Sequence, residues 1–488
     1  MNRSVGSAAL AGVLAMVACG DDSGVGGAGG SASNGSTASS SASGTGSTNA
    51  STSTATSSSS SGSTATSSSS SSGEGGAGGA ASSSSAGGGG GGSPTAASTS
   101  GSGGGNPNDQ DGDGWTVQDG DCCDMPGTPD CDEPELVNPG AFEFLGNGVD
   151  DDCDPGTSDS VPPAECTAAP LMTPTTSLAL ARAMDLCQFT NESPPLPQKK
   201  WGVIATDLTL ADDTSAPPNV QVGVLGQFGT YVAPQKGTTM ASLSTGTARA
   251  EGNAGYVHPQ NGPLSGQVGN YNGATQVGVP ADYLAAHGGT VPNPAACPAC
   301  TDMTCTQAFD SVRFRLRIRV PTNAQSFSYA LKFYTAEYPE YTCQTYNDFF
   351  VALLDSSWVP DPMANPPQDP LPADKNIAID GLGNAVSVNN AFLDVCFPAM
   401  GAPPGSCPAG TLDLVGNLTA SGANGSAAND LTFRAGTAWL VNEAPVVPGE
   451  TIELEFITWD AGDHNVDSLV LLDKFRWQID PASVGLHD

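Results

Sequence analysis

Residues 313–320 read RFRLRIRV, and their strict alternation decides the fold. Phe314, Leu316, Ile318 and Val320 share one side, and Arg313, Arg315, Arg317 and Arg319 the other. A period of two marks a half-buried strand, because successive side chains of extended backbone leave on opposite faces. Segments on either side repeat the signal. SFSYALKFY (326–334), DFFVALLD (348–355), NAVSVNNAF (384–392), TIELEFITW (451–459) and SLVLLDKFRW (468–477) are rich in β-branched and aromatic residues and separated by Pro- and Gly-bearing turns. LALARAMDLC (178–187) reads as a short helix, and no segment reads as a long one. The expectation is an all-β domain over residues 160–488, a jelly-roll-like antiparallel β-sandwich.

The arginine face carries four of the chain's fifteen basic residues. It would suit an acidic glycan or an anionic lipid headgroup. Pairing across the sheet with Glu453 and Glu455, which alternate on their own strand, is the preferred reading.

Upstream, the chemistry changes. Residues 107–159 hold sixteen carboxylates and no Lys or Arg, so their repulsion calls for a cation from outside the chain. Asp109, Asp111 and Asp113 alternate before Gly114, a spacing that aims successive oxygens at a hard ion around a tight turn. The Trp115 carbonyl comes next. Gly120 stands where an EF-hand would place its closing Glu, so Asp119, Asp121 or Asp124 is expected to close the site. Asn147, Asp150, Asp151, Asp152 and Asp154 form a second site or the far wall of the first. Oxygen donors without histidine point to calcium as the cofactor. In the sandwich, Glu337, Glu340, Asn347, Asp348, Asp460, Asp463 and Asp467 form a second candidate metal or polar site, with turn capping as the alternative.

Residues 19–106 are almost wholly Gly, Ser, Thr and Ala, with no aromatic or basic residue, and cannot bury enough apolar surface to fold. They are expected to be a disordered tether spanning roughly 50 Å. Residues 1–18 have the charge and short apolar run of an export signal. Their end, Met16-Val17-Ala18-Cys19, resembles the bacterial lipobox, which implies a lipid on Cys19 and membrane attachment. Gly20 stands where an inner-membrane retention Asp would often sit, which implies the outer membrane and the cell surface. The twelve remaining cysteines have left a reducing compartment, so disulfides are expected. Cys122, Cys123, Cys131 and Cys153 should pair among themselves, Cys166 with Cys187, and Cys396 with Cys407. Cys297, Cys300 and Cys305 are loosely spaced like a zinc knuckle, with disulfides preferred.

Two resemblances extend this reading. DQDGDG, GDC, NPGAFE and NGVDDDCD, across residues 107–159, resemble an Asp/Cys-rich metal-binding motif repeated in bacterial surface proteins. Cys123 stands where that motif usually has Asp, and MPGTPDCD is inserted. LSTG (243–246), FYTAEYPEYTCQTYNDFFVALL (333–354), NIAI (376–379), VSVNN (386–390) and VVPGETIELEFITWDAGDHNVDSLVLL (446–472) resemble the choice-of-anchor L domain of bacterial surface proteins. That likeness implies secretion or surface attachment and no biochemical activity.

A net charge of −35 argues against nucleic acid as a partner. His258, His287, His464 and His487 make no metal spacing, and no nucleophile elbow is present. The expected function is therefore calcium-stabilised surface display, for adhesion or for binding an extracellular glycan or protein. The alternatives are a structural coat component and a glycan hydrolase using Glu337 or Glu340 with Asp348.

Overall fold

The computed structural model describes residues 106–125, 127, 131–157, 159–160, 166, 175–249, 276–295, 297, 306–338, 341–364, 367–389, 393, 395–396, 408–410, 412–414, 435–462 and 467–487. The signal, Cys19 and almost all of the tether lie outside these residues, as do Glu340, Asp463, His258, His464, Cys300, Cys305 and Cys407. All described residues belong to one compact unit.

Two antiparallel sheets pack face to face. Their strands are β1 (Gly202–Thr209), β2 (Val222–Leu225), β3 (Met240–Ser244), β4 (Val277–Gly278), β5 (Gln307–Arg319), β6 (Ser326–Thr335), β7 (Phe349–Asp355), β8 (Val386–Ser387), β9 (Val395–Cys396), β10 (Ala435–Gly436), β11 (Leu440–Pro445), β12 (Thr451–Asp460), β13 (Ser468–Gln478) and β14 (Gly485–His487). Sheet one runs β1-β5-β12-β7-β8, with β4 on the start of β5. Sheet two runs β14-β11-β6-β13-β3-β2, with β10 joining β6 to β9. The long strands β5, β6, β12 and β13 lie inside their sheets, and short strands close most of the ends. A helix, α1 (Ser177–Ala183), is capped by Thr176, whose side chain accepts from the Ala179 N–H, and buries Leu180. A second short helix, α2, covers Ala281–Ala286.

Register explains why alternation on β5 was so clean. Phe456, Leu454 and Ile452 of β12 stand directly opposite Phe314, Leu316 and Ile318 of β5, so both inward rows meet the same core. From sheet two, β6 sends Phe327, Tyr329, Leu331 and Phe333 into that core, and Tyr329 meets Phe456 edge-on with centroids 5.0 Å apart. Each such side chain contributes about 1.5–3 kcal/mol of hydrophobic stabilisation. β6 itself is buried on both faces, because a second cluster with Phe228, Tyr334 and Leu469 covers its back. Lys332 on that back face is buried with an ion pair to Asp413 at 2.7 Å.

The arginine row is engaged within the fold, though differently from the expectation. Arg313 and Arg315 both pair with Glu455, and Arg315 also reaches Asp213 at 2.8 Å. Arg317 pairs with Glu192 at 2.8 Å. Arg319 instead donates to the carbonyls of Lys200, Asn191 and Glu192 and to the Thr190 hydroxyl. Glu453 stands opposite Arg317 in the ladder, but among the described residues no ion pair joins them. Loops crossing β5 took partners that strand alternation alone could not reveal.

The acidic segment rests on the sandwich. Thr322, in the turn between β5 and β6, donates its hydroxyl to Asn138 Oδ1 at 2.8 Å and its N–H to the Gly140 carbonyl at 3.2 Å. Phe142 packs against Trp201 with centroids 5.2 Å apart, and Lys200 pairs with Asp154 at 3.1 Å.

Candidate metal centre in the acidic module

The loop at Asp109 turns through Gly112 and Gly114, at φ of 86° and 101°, conformations that glycine adopts without a steric penalty. The carboxylates hold the loop itself, Asp109 with both oxygens, its Oδ2 accepting from the Gly114 N–H at 3.2 Å, and the others with one. Asp109 Oδ1 accepts from the Gly112 N–H at 2.7 Å, Asp111 Oδ1 from Asp113 at 3.1 Å, and Asp113 Oδ1 from Trp115 at 2.7 Å. Across the loop, Asp121 Oδ1 accepts from Cys123 at 2.8 Å and Asp124 Oδ1 from Gln110 at 2.6 Å. The second oxygens remain. Asp111 Oδ2, Asp113 Oδ2 and Asp121 Oδ2 are buried with no hydrogen-bond partner.

The carboxylates fall into two overlapping groups. Oxygens of Asp109, Asp111 and Asp113 lie within 4.8 Å of one another, as do those of Asp111, Asp121 and Asp124. Asp111 thus belongs to both sets, and the closing side is formed by Asp121 and Asp124. Asp119 is turned away, its carboxylate accepting from the Thr116 hydroxyl at 2.7 Å. The Trp115 ring is buried under Gly140, and Lys199 approaches it to 5.9 Å.

A second set joins Glu143, Asp150 and Asp152, again within 4.8 Å. The other residues of that stretch organise the backbone. Asp151 Oδ2 accepts from the Phe144 N–H at 3.0 Å and from Asn147 Nδ2 at 2.8 Å, and Asp154 accepts from the Gly156 N–H at 3.0 Å and from Lys200. Glu143 was missed as a donor, although the motif NPGAFE contained it, because AFEFL reads as an apolar alternation. Its Oε2 accepts from the Asp151 N–H at 2.9 Å, and Oε1 is buried without a partner.

Burial and mutual repulsion leave these acids poorly satisfied. Burial, with the charges of Asp111 and Asp121 adding, pushes Asp113 up to about 7 against the help of the Trp115 N–H. The same causes take Asp121 up to about 6 and Glu143 up to about 7. Asp111, Asp150, Asp151 and Asp152 are raised, foremost by burial. Asp154 alone is lowered, by the Gly156 N–H and by Lys200. All donors are oxygens, the chemistry of a hard cation.

Disulfides frame the module: Cys122 is bonded to Cys153 and Cys123 to Cys131. Cys166 is bonded to Cys187. Cys297 is bonded to Cys343, which removes it from a zinc knuckle. Cys396 lies on β9, and its expected partner Cys407 falls outside the described residues.

In the sandwich, Glu337, Asn347, Asp348, Asp460 and Asp467 are all buried. Asn347 holds loops together, accepting from the Asn389 N–H and donating to Asn293, both at 3.1 Å. Among the described residues, no three carboxylates of this group approach as closely as those of the module. Glu337 and Asp348, named for a hydrolase, are both buried, and Glu340, the other expected partner of Asp348, lies outside the described residues. His287 is hydrogen-bonded to Asp374 at 2.7 Å.

A cavity of about 480 Å³ opens where module and sandwich meet, walled by Phe142, Phe144, Trp201, Phe475 and Trp477, with Glu143 and Asp185 among its polar groups. Another, of about 600 Å³, lies over sheet one, lined by Arg313, Arg315, Lys375, Asp355, Glu453 and Glu455 among others. Among the described residues no helix is long and apolar enough to cross a membrane. No curated protein and no solved structure matches the chain. Residues 303–476, a stretch that holds all of β5 to β12 and most of β13, match the family model of the Choice-of-anchor L domain.

Proposed function

We propose that this is a surface-displayed lipoprotein whose acidic module binds calcium and whose sandwich serves adhesion or the binding of an extracellular polymer. The domain match supports a surface-associated protein of a family that is not enzymatic. The observation that carries the calcium reading is the approach of Asp109, Asp111 and Asp113 and of Asp111, Asp121 and Asp124 within 4.8 Å, together with Asp111 Oδ2, Asp113 Oδ2 and Asp121 Oδ2, which are buried without a hydrogen-bond partner among the described residues. A divalent ion would satisfy them and cancel the repulsion that raises their neighbours. Asp109, Asp111, Asp113, Asp121 and Asp124 would hold it, and Glu143, Asp150 and Asp152 a second. The aromatic cavity beside Glu143 favours binding over a purely structural coat, because rings with a few polar groups suit the faces of sugars and apolar side chains.

Calorimetric titration of calcium into the chelator-stripped full chain, with magnesium as control, tests this. Saturable binding that raises the melting temperature is expected, and its loss in the Asp111→Asn, Asp113→Asn double variant assigns it to the module. No binding heat and no thermal stabilisation would overturn it. Cys19→Ala should release the protein from the membrane fraction; unchanged retention would refute the lipid anchor.

A further inference from the structure

Outside the module, the least satisfied group is Asp460. It ends β12 just past the irregularity that breaks the register between Thr458 and Asp460 against β5, a bulge that re-aims its side chain. It is 2 % exposed, and among the described residues both of its carboxylate oxygens are buried without a geometrically formed hydrogen bond. The nearby Thr245 hydroxyl is engaged elsewhere, accepting from the Ser468 N–H at 2.9 Å and donating to the Ser468 carbonyl at 3.4 Å. Asp467, one residue before β13, is 4 % exposed, and its Oδ2 is likewise unpartnered. Position 246 must be glycine for Asp467 to lie where it does, since a Cβ there would fall 2.0 Å from Asp467 Oδ2.

These acids face more acids. Burial raises Asp460 and Asp467 well above the usual carboxylate range, and the charges of Asp348 and Asp310 add to it. Asp310 reaches the group from β5 with its backbone at a left-handed φ of 47°. The surrounding frame is tightly held: Gln221 Nε2 donates to the carbonyls of Ser244, Thr245 and Asp310, and the Ser468 hydroxyl donates to Asp348. A core does not place charges together without compensation, because an unpaired buried carboxylate costs several kcal/mol. Protonation alone would not suffice, because a neutral acid still needs hydrogen-bond partners and, among the described residues, the one donor beside Asp460 is the Thr245 hydroxyl, which Ser468 already engages.

We propose that Asp460 and Asp467 hold a divalent cation of the calcium class, which ties β12 of sheet one to β13 of sheet two at this end of the sandwich. Oxygen-only donors specify a hard ion, and waters complete a shell wider than that of the module. The sequence had singled out Asp460 and Asp467; Asp310 was hidden within a strand. This site does not depend on the module's calcium.

The test counts calcium ions bound by the chelator-stripped full chain, by native mass spectrometry with calcium chloride alone. Asp460→Asn should bind one ion fewer than the wild type, melt no lower without calcium, and gain less on its addition. An unchanged count overturns the proposal. Should Asp460→Asn fail to fold, a chain whose module is emptied by Asp111→Asn, Asp113→Asn, Asp150→Asn and Asp152→Asn decides. One remaining ion, lost in Asp467→Asn, supports the site, and no remaining ion overturns it. An intact count in that emptied chain would instead overturn the module as the calcium centre.

Discussion

Asn323 and Phe142 clasp each other through two hydrogen bonds: Asn323 Oδ1 accepts from the Phe142 N–H at 2.8 Å, and Asn323 Nδ2 donates to the Phe142 carbonyl at 2.9 Å. The side-chain amide acts as a one-residue strand, holding the NPGAF backbone to the turn between β5 and β6. At 4 % exposure the clasp is shielded from water. Asn323→Ala would leave two backbone groups unpaired, each costing about 1–3 kcal/mol if water cannot replace the amide. Urea unfolding should lose about 2–6 kcal/mol on that basis, with protease cleavage in residues 107–159 accelerated. Wild-type stability and cleavage in the variant would show that the clasp does not hold the module.

Gly140 makes room for Trp115, whose ring lies 2.8 Å from where a Cβ would stand. Gly140→Ala must push that ring or the Asn138 amide aside, a misfit of about 1–3 kcal/mol. Tryptophan emission should shift to the red and calcium affinity fall, because Trp115 anchors the loop through its N–H to Asp113. An unchanged spectrum and affinity would contradict this packing role.

Calcium binding should weaken as pH falls below about 7. Asp113 and Glu143, pushed up to about 7, and Asp121, to about 6, take up protons in that range, and calcium must displace them. Titrations at pH 5, 6, 7 and 8 should show affinity rising steeply to pH 7 and levelling off. A flat profile would place calcium on other groups.

Asp473 offers a pH effect independent of the metal. On β13, burial pushes it up to about 7, against N–H groups of Gln235, Lys236 and Lys474 and with the Asp185 charge adding. The unfolded chain releases this proton near 3.8, so the folded state holds it longer. Its contribution is therefore complete below about 4 and is lost as pH rises to 7. In saturating calcium, Asp473→Asn should flatten the decline of stability between pH 4 and 7 by up to about one proton. The same slope in both proteins would refute it.

The legible strands were those rich in β-branched and aromatic residues, whether one face or both lie against the core. β5 and β12 announced themselves because arginine and glutamate alternate with aromatic and aliphatic residues. β1 and β11 went unread, since GVIATDLT and LVNEAP mix small and polar residues and gain their burial from neighbours supplied by distant sequence. In NAVSVNNAF only Val386 and Ser387 pair as a strand among the described residues, because Asn389 is drawn into loop contacts with Asn293 and Asn347. The carboxylates of the module were visible as spacing. Which oxygens remain unpartnered was not, because that depends on local turns that use both oxygens of Asp109 and one each of Asp111, Asp113 and Asp121. Glu143 and Asp310 were concealed by the apolar patterns around them.

The order of strands has a consequence for life in a crowd. Sheet two ends in β14, of three residues, and β2, of four; sheet one ends in β8, of two, and in β1, whose outer side is partly taken by Phe189 and Thr190. The long apolar ladders of β5, β6, β12 and β13 have no open flank for another backbone to join. Copies of the sandwich crowded at high local density can therefore collide continually without zipping into fibres, which lowers the risk of aggregation.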